Sequence, residues 1–221
     1  LLHRAPARSH PMALLRTAVS ALALEDANAD DRSPEADRDR AIELLAKIPI
    51  IVVIGHRLAS GVEPIVPKDE YSQAANLLYM LHGIEPGEQE IKAMDVSLIL
   101  YAEHGFNASA FTARVVASSL SDFYASIVAA IASLAGPLHG GANEKAMEML
   151  SQIGFADKAE QWVLDALAAK RKIMGFGHRE YRTGDGRVPI MKAIGRNLAA
   201  LLNNTKWIEI ADVVEQTMDR E

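Results

Sequence analysis

The stretch ASAFTARVVASSLSDFYASIVAAIASLA, residues 108–135, is the most apolar part of the chain. It is rich in alanine and serine, and Ser121-Asp122 near its middle is typical of a helix N-cap. The stretch therefore predicts two helices whose small side chains let backbones pack closely. Across all 221 residues aromatics are few, at 5%, while unbranched apolar residues are plentiful, which favours helix over sheet. We predict an all-α fold.

Hydrophobic spacing, proline and glycine divide the rest of the chain into further helices. They are predicted at residues 11–24, 36–48, 72–81, 86–101, 142–153, 157–171, 189–202 and 206–218. Pro49 closes the second of these, and the β-branched run at residues 50–54 is interpreted as a buried helix that continues past a proline kink. Gly83 is predicted to end one helix and Asp157 to cap the start of another. Residues 184–187 are predicted to form a turn.

Residues 25–40 hold seven acidic side chains against three arginines, and we interpret them as a solvated loop. They supply most of the net charge of -6. An acidic chain without a basic stripe is a poor nucleic-acid binder, so we expect no nucleic-acid partner.

Exposed apolar helices are typical association surfaces. We therefore predict that residues 108–135, together with residues 11–24, form a homodimer interface. Burial of the same residues within one subunit is the alternative, and the sequence leaves both open.

The composition also excludes several classes of site. The chain has no cysteine, which excludes disulfides, zinc thiolate sites and cysteine nucleophiles and fits a reducing cytoplasm. No apolar run reaches the length that spans a bilayer, and the N-terminus lacks the pattern of a secretory signal. We expect a cytoplasmic protein with no membrane partner.

Two histidines lie among residues that favour turns, in GPLHGGANE (residues 136–144) and GFGHR (residues 175–179). Glycine and proline there present His139 and His178 beside helices instead of inside them. A neutral imidazole donates from one nitrogen and accepts at the other, which suits proton transfer at carbonyl oxygens. The alternative is two unrelated turn histidines. No His-Glu-x-x-His element occurs, so we expect no metal site.

Basic residues lie just before the second of these segments. Lys170, Arg171 and Lys172 precede Ile173, Met174 and Gly175, an arrangement that suits a phosphate-bearing ligand. Arg187 lies in the predicted turn, and arginine binds carboxylates through two parallel bonds. Solvated surface charges are the alternative for any one of these residues.

Together with EHGFNAS (residues 103–109), the histidine segments GPLHGGANE and MGFGHR (residues 174–179) resemble the citrate synthase family, which includes the 2-methylcitrate synthases. The resemblance extends over nearly the whole chain. It implies an all-helical fold, with residues 1–140 part of a large dimerisation domain and residues 141–221 a small domain truncated at its C-terminal end. It also implies a homodimer that condenses acetyl-CoA or propionyl-CoA with oxaloacetate, a reaction of the tricarboxylic acid cycle. Coenzyme A is then a co-substrate, and no cofactor is bound covalently.

The resemblance also implies a role for each matching residue. His139 stabilises the enol of the thioester, and His178 polarises the keto group of oxaloacetate. His104 and Arg187 hold carboxylates of oxaloacetate and of the product. The segment that contacts coenzyme A consists of Arg171, Lys172, Ile173, Met174 and Gly175.

The chain departs from the family pattern at three points. Gly105 follows the first histidine where the family usually has Glu, and Asp185-Gly186-Arg187 replaces Asp-Pro-Arg. The Asn-Val-Asp-Phe-like segment that carries the family's catalytic base does not occur in these 221 residues. We therefore interpret the chain as an internal piece of a synthase. The second hypothesis is a non-catalytic, dimerising helical domain that still binds coenzyme A.

Overall fold

The computed structural model describes residues 1–177 and 184–221, and within these ranges the chain is built from α-helices without a β-strand. The helices are α1 Pro11–Leu22, α2 Pro34–Ala59, α3 Gln73–His82, α4 Glu88–Tyr101, α5 Ala108–Ser118, α6 Phe123–Leu134, α7 Gly141–Ile153, α8 Ala159–Ala168, α9 Val188–Leu201 and α10 Lys206–Met218. Short 3₁₀ turns lie at Leu2–Arg4 and Ala156–Lys158. The all-α prediction is confirmed.

The apolar stretch at residues 108–135 divides where its sequence indicates. The Asp122 side chain accepts a hydrogen bond from the backbone N–H of Ala125 at 2.8 Å and so caps α6. Gly83, at φ 76°, ends α3 in the left-handed conformation that favours glycine. Asp157, in contrast, lies inside the second 3₁₀ turn, and Lys158 occupies the N-cap of α8 without a side-chain bond. The prediction for Asp157 is therefore wrong, and α8 ends three residues before Arg171.

The chain forms two compact units, Leu1–His139 and Gly140–Glu221. In the first unit α1, α2 and α6 enclose a core of Leu15, Ala18, Val19, Leu44, Ile51, Tyr124 and Ile131. In the second unit α7, α8 and α10 enclose a core that includes Met149, Ile153, Val163, Ile173, Ile210 and Val214. Helices α1 and α6 thus bury part of their apolar surface within the unit, and the homodimer interface predicted at residues 108–135 and 11–24 stays a prediction.

Pro49 lies inside α2 without ending it. The helix runs on for ten residues, and Ile51 and Val53 beyond the proline are buried. Because proline has no N–H, the helical bond from residue 49 to the carbonyl of Leu45 cannot form. The side-chain amide of Gln73, at the start of α3, donates to that carbonyl at 2.9 Å. Packing and this substitute bond make the helix continuous, so the interpretation of residues 50–54 as helix is confirmed and the predicted end at Pro49 is wrong.

The acidic segment is not a solvated loop throughout. Pro34 begins α2, and the side chain of Arg40 is buried. Its Nε donates to Asp26 at 2.7 Å, and its two terminal nitrogens donate to the carbonyls of Asp31 (2.5 Å) and Asn28. Tyr124 of α6 donates to the same Asp26 oxygen at 3.3 Å. The excess of acidic residues therefore serves in part to neutralise and hold one buried cation.

The pairing of Gln73 with Leu45 can be tested by a double-mutant cycle. We expect Gln73→Ala to lower the free energy of unfolding by about 0.5–1 kcal/mol, since a carbonyl loses its donor. In a Pro49→Ala background the N–H of residue 49 satisfies that carbonyl, so the same change should cost much less. Urea unfolding of the four proteins measures the coupling, with Gln89→Ala in the first turn of α4 as the control. Equal costs in both backgrounds would show that Gln73 does not replace the missing helical bond.

The Arg40 cluster also makes stability depend on pH. The hydrogen bond from Arg40, followed by the backbone N–H of Asn28, holds the pKa of Asp26 below its ordinary value of 3.8. This stabilisation is present above that value and is lost as pH falls through the lower pKa of the folded state. We expect the urea midpoint to fall between about pH 5 and pH 2 more steeply in the native chain than in Asp26→Asn. Asp30→Asn, in the same segment, is the control and should retain the steep fall.

Candidate active site

His139 lies in the turn that follows α6. Its backbone N–H donates to the carbonyl of Gly136 at 2.9 Å, which closes the turn, and its side chain is half-buried. A Cβ on Gly136 would lie 3.2 Å from the carbonyl oxygen of Ser133, so glycine lets the chain turn this tightly after the helix. The local sequence therefore presents the imidazole beside the helix end, as predicted.

The imidazole of His139 contacts Ser109, which lies thirty residues earlier in the chain. Ser109 Oγ is 2.7 Å from His139 Nε2 and 3.0 Å from the carbonyl oxygen of Ala130 on α6. A hydroxyl has one proton, and here two acceptors lie within its reach. When the proton lies towards Nε2, neutral His139 carries its own proton on Nδ1. When it lies towards Ala130, Nε2–H donates to Ser109 and Nδ1 becomes an acceptor.

Burial, and then the nearby positive charge of His104 when it is protonated, lowers the pKa of His139 below its ordinary value of 6.5. The imidazole is therefore neutral at neutral pH. In that state it either donates or accepts at Nδ1, according to the direction of the Ser109 proton. The site suits hydrogen bonding to a polar ligand without a full charge on the ring.

His104 belongs to the same unit and lies in the turn between α4 and α5. Gly105 takes φ 58°, the left-handed conformation, and its N–H donates to the carboxylate of Glu103. Asn107 then caps α5 by accepting from the N–H of Ala110 at 3.0 Å. The departure from the family pattern at Gly105 thus falls where the backbone favours glycine over Glu.

Arg187 and the basic segment lie in the second unit. Arg187 pairs with Asp185 in its own turn: Nε is 3.0 Å from both carboxylate oxygens, and one terminal nitrogen is 2.6 Å from Oδ2. The backbone N–H of Arg187 also donates to Asp185 at 2.9 Å. A carboxylate ligand would meet a guanidinium that Asp185 already orients and partly neutralises.

The predicted coenzyme A segment presents its side chains unequally. Arg171 and Lys172 are exposed, and the Arg171 guanidinium lies over the ring of Trp162 at 5.1 Å. Ile173 is buried in the core of the second unit, so only its backbone is available to a ligand. Gly175, at φ 92°, needs the freedom of glycine. His178 lies outside the described residues.

Comparison with known proteins places these features in a family. A model of the citrate synthase C-terminal domain matches residues 1–221. The chain belongs to the citrate synthase family. The resemblance found in the histidine segments is thus confirmed.

Curated relatives include both citrate synthases and 2-methylcitrate synthases. The chain is 47% identical to citrate synthase 2 of Bacillus subtilis (strain 168) over 212 residues, which are 96% of this chain and 57% of the relative. It is 44% identical to 2-methylcitrate synthase of Mycobacterium tuberculosis (strain ATCC 25618 / H37Rv) over 218 residues, which are 99% of this chain and 55% of the relative. The chain therefore spans little more than half the length of the relatives it matches.

Solved structures share the fold. Citrate synthase from Thermoplasma acidophilum, in a ternary complex with carboxymethyl coenzyme A and oxaloacetate, has a TM-score of 0.89 and 34% identity, covering 97% of this chain and 57% of that structure. Citrate synthase from Thermotoga maritima MSB8 has a TM-score of 0.82 and 36% identity, covering 99% and 56%. The citrate-synthase-like part of the fold prediction is confirmed by these matches.

Three contacts were not foreseen from the sequence: Ser109 with His139, Asp185 with Arg187, and Trp162 with Arg171. Ser109 belongs to a quoted motif, but nothing in its neighbourhood indicates a partner thirty residues away. Asp185 and Arg187 are two residues apart in a turn, a spacing at which an ion pair is a reasonable expectation. The sequence identifies Trp162 only as an apolar position of an amphipathic helix.

The direction of the Ser109 proton can be measured without any ligand. We expect it to lie on the shorter contact, towards His139 Nε2, which leaves the histidine proton on Nδ1. Nitrogen-15 NMR of labelled histidines should show the Nδ1–H tautomer for His139, and Ser109→Ala should remove this bias. Ser118→Ala, on the exposed end of α5, is the control. A native His139 that carries its proton on Nε2 would contradict the assignment.

Proposed function

We propose that the protein to which these residues belong condenses an acyl-CoA with oxaloacetate, after which water hydrolyses the thioester of the product to give citrate or 2-methylcitrate and free coenzyme A. The observation that carries the proposal is the half-buried His139, whose Nε2 lies against Ser109 in a segment typical of the citrate synthase family. The names of the relatives include both citrate and 2-methylcitrate synthases, so the acyl group is acetyl or propionyl.

In this proposal His139 donates a hydrogen bond from Nδ1 to the thioester carbonyl oxygen. As a general base takes the α-proton, the electron pair of the broken C–H bond moves towards that oxygen, and a donor already in place stabilises the negative charge that develops there. The pKa of His139 is lowered mainly by burial, which keeps the ring neutral and lets the enol form without a prior proton transfer. Ser109 holds the ring in the tautomer that this role requires.

The remaining roles follow the family pattern. We assign to His178 the polarisation of the oxaloacetate keto group, and to His104 and Arg187 the binding of carboxylates. Asp185 fixes the guanidinium plane of Arg187 before the ligand arrives, which reduces the entropy lost on binding. Arg171, Lys172, Met174, Gly175 and the backbone of Ile173 contact coenzyme A.

We also propose a homodimer, and the exposed apolar surface that supports it lies on α5. No residue of α5 is buried within its own unit, and Phe111 and Val115 are 55% and 53% exposed. On α2, Ile42, Leu45 and Val52 are also exposed along one side of the helix. In this proposal residues 1–140 belong to a large dimerisation domain and residues 141–221 to a small one.

Two further observations bear on location. Within the described ranges, no helix combines the length and the hydropathy that crossing a membrane requires. The chain also has no cysteine, which supports a cytoplasmic location as part of the proposal.

A second candidate function is binding of coenzyme A and dimerisation without turnover. It is favoured by one observation: Gly105 directly follows His104, where the family usually has Glu.

Release of free coenzyme A thiol from acetyl-CoA or propionyl-CoA with oxaloacetate tests the proposal. The chain itself contributes no thiol background, since it has no cysteine. The assay uses the 221-residue chain and a hybrid in which it replaces the matching part of the Bacillus subtilis relative. We expect turnover in the hybrid, and His139→Ala should lower kcat by roughly 100-fold or more through loss of the donor at the enol oxygen.

His56→Ala, an exposed histidine on α2, is the control and should leave turnover unchanged. An active His139→Ala hybrid would refute the role given to this residue. A hybrid that binds coenzyme A and never releases thiol would favour the second candidate function.

A further inference from the structure

Among the residues that the structure describes, Arg171 is an exposed cation with an aromatic partner and no acidic one. Its guanidinium carbon lies 5.1 Å from the centroid of the Trp162 ring. None of the ion pairs among the described residues includes Arg171. Trp162 is partly buried and packs against the core of the second unit, so the ring is a fixed surface. Arg171 thus keeps its full charge while losing freedom of movement.

The backbone on either side of Arg171 is also fixed. The N–H of Lys170 donates to the carbonyl of Leu167 at 2.9 Å, and the N–H of Arg171 donates to that of Ala166 at 2.8 Å. These two bonds form a Schellman motif at the end of α8, with Lys170 in the left-handed conformation at φ 53°. Two residues after Arg171, Ile173 is buried in the core. The backbone position from which the Arg171 side chain extends is therefore fixed.

A guanidinium that lies over a ring keeps N–H groups at the edge turned away from the ring. The N–H groups at that edge form a planar fork that matches phosphate oxygens. Lys170 and Lys172 flank Arg171, and neither takes part in an ion pair among the described residues, which raises the local positive potential. The chemistry of the cluster suits a phosphate group, and coenzyme A carries both a 3′-phosphate and a diphosphate.

We propose that Trp162 is a positioning residue for coenzyme A, which holds the Arg171 guanidinium in the orientation that binds a phosphate of the co-substrate. The inference rests on the proposed function and extends it to a residue that does not touch the ligand. It predicts that Trp162 matters only through Arg171.

Calorimetric titration of coenzyme A into the chain and into the hybrid tests this role. We expect Trp162→Leu to weaken binding about threefold to tenfold, since it removes the cation–π contact, and Trp162→Phe to restore most of the affinity. Arg171→Gln should weaken it about tenfold or more. In the Arg171→Gln background, Trp162→Leu should have no further effect, whereas a purely structural role would weaken both backgrounds equally.

The matched control is Trp207→Leu, because Lys206 lies over the Trp207 ring at 4.7 Å in the same unit. It should leave the affinity for coenzyme A unchanged. Dephospho-coenzyme A identifies the phosphate: if Trp162→Leu has no effect on its binding, Arg171 binds the 3′-phosphate, and if the effect persists, Arg171 binds the diphosphate.

Full affinity in Trp162→Leu, or equal losses in both Arg171 backgrounds, would overturn the inference while the proposed function stands. A native hybrid that does not bind coenzyme A would overturn the proposed function and this inference with it.

Discussion

The buried guanidinium of Arg40 is the interaction on which the first unit depends. A charge that has left water must be paired and hydrogen-bonded, and here the partners are Asp26, Asp37 and two backbone carbonyls of the preceding segment. Since Asp26 also accepts from Tyr124, the cation ties the segment before α2 to the start of α6. Helix α6 in turn supplies the carbonyl of Ala130 that contacts Ser109, and His139 follows at its end. The geometry at the imidazole is therefore supported by a charge cluster in another part of the unit.

The candidate site is formed by turns at helix ends. His104 and His139 each follow a helix, and each turn contains a glycine with a steric reason to be there. Gly105, directly after His104, has a left-handed φ, and Gly136, three residues before His139, lies close to a carbonyl. A turn places an imidazole at the end of a packed helix, where one side of the ring is covered by the protein and the other side is accessible. Partial burial is enough to lower the pKa of His139 while the ring stays open to a ligand. The helices are the rigid scaffold, and the functional residues lie in the connections between them. A sequence that is rich in alanine and poor in aromatic residues can therefore support such a site.

Local patterns predicted most of the helices, because their causes are local. The cap at Asp122 and the glycine at position 83 act within one helical turn, and apolar spacing reports which face is covered. The errors have tertiary causes. Helix α2 passes through Pro49 because Gln73, which follows in the next helix, satisfies the carbonyl of Leu45. The segment at residues 25–40 looks solvated because its composition does not reveal that Arg40 is buried. At the site, the motif indicated His139, but its partner Ser109 lies thirty residues away, and no local pattern encodes that contact.

The two arginines of the second unit show two ways of holding a cation, with different consequences for binding. Arg187 is held by a carboxylate, which fixes the guanidinium plane but neutralises part of its charge. Arg171 is held by a ring, which restricts its movement and leaves its charge intact. In the proposed function a ligand at Arg187 meets a guanidinium that is oriented but partly neutralised, whereas one at Arg171 meets a guanidinium that is restricted by the ring and fully charged. The proposed ligand of Arg187, oxaloacetate, carries carboxylates and requires an aligned keto group, so orientation matters most there. The proposed ligand of Arg171, a phosphate of coenzyme A, lies far from the reacting carbon, so an oriented guanidinium with its full charge serves affinity there and not the alignment of the reacting groups.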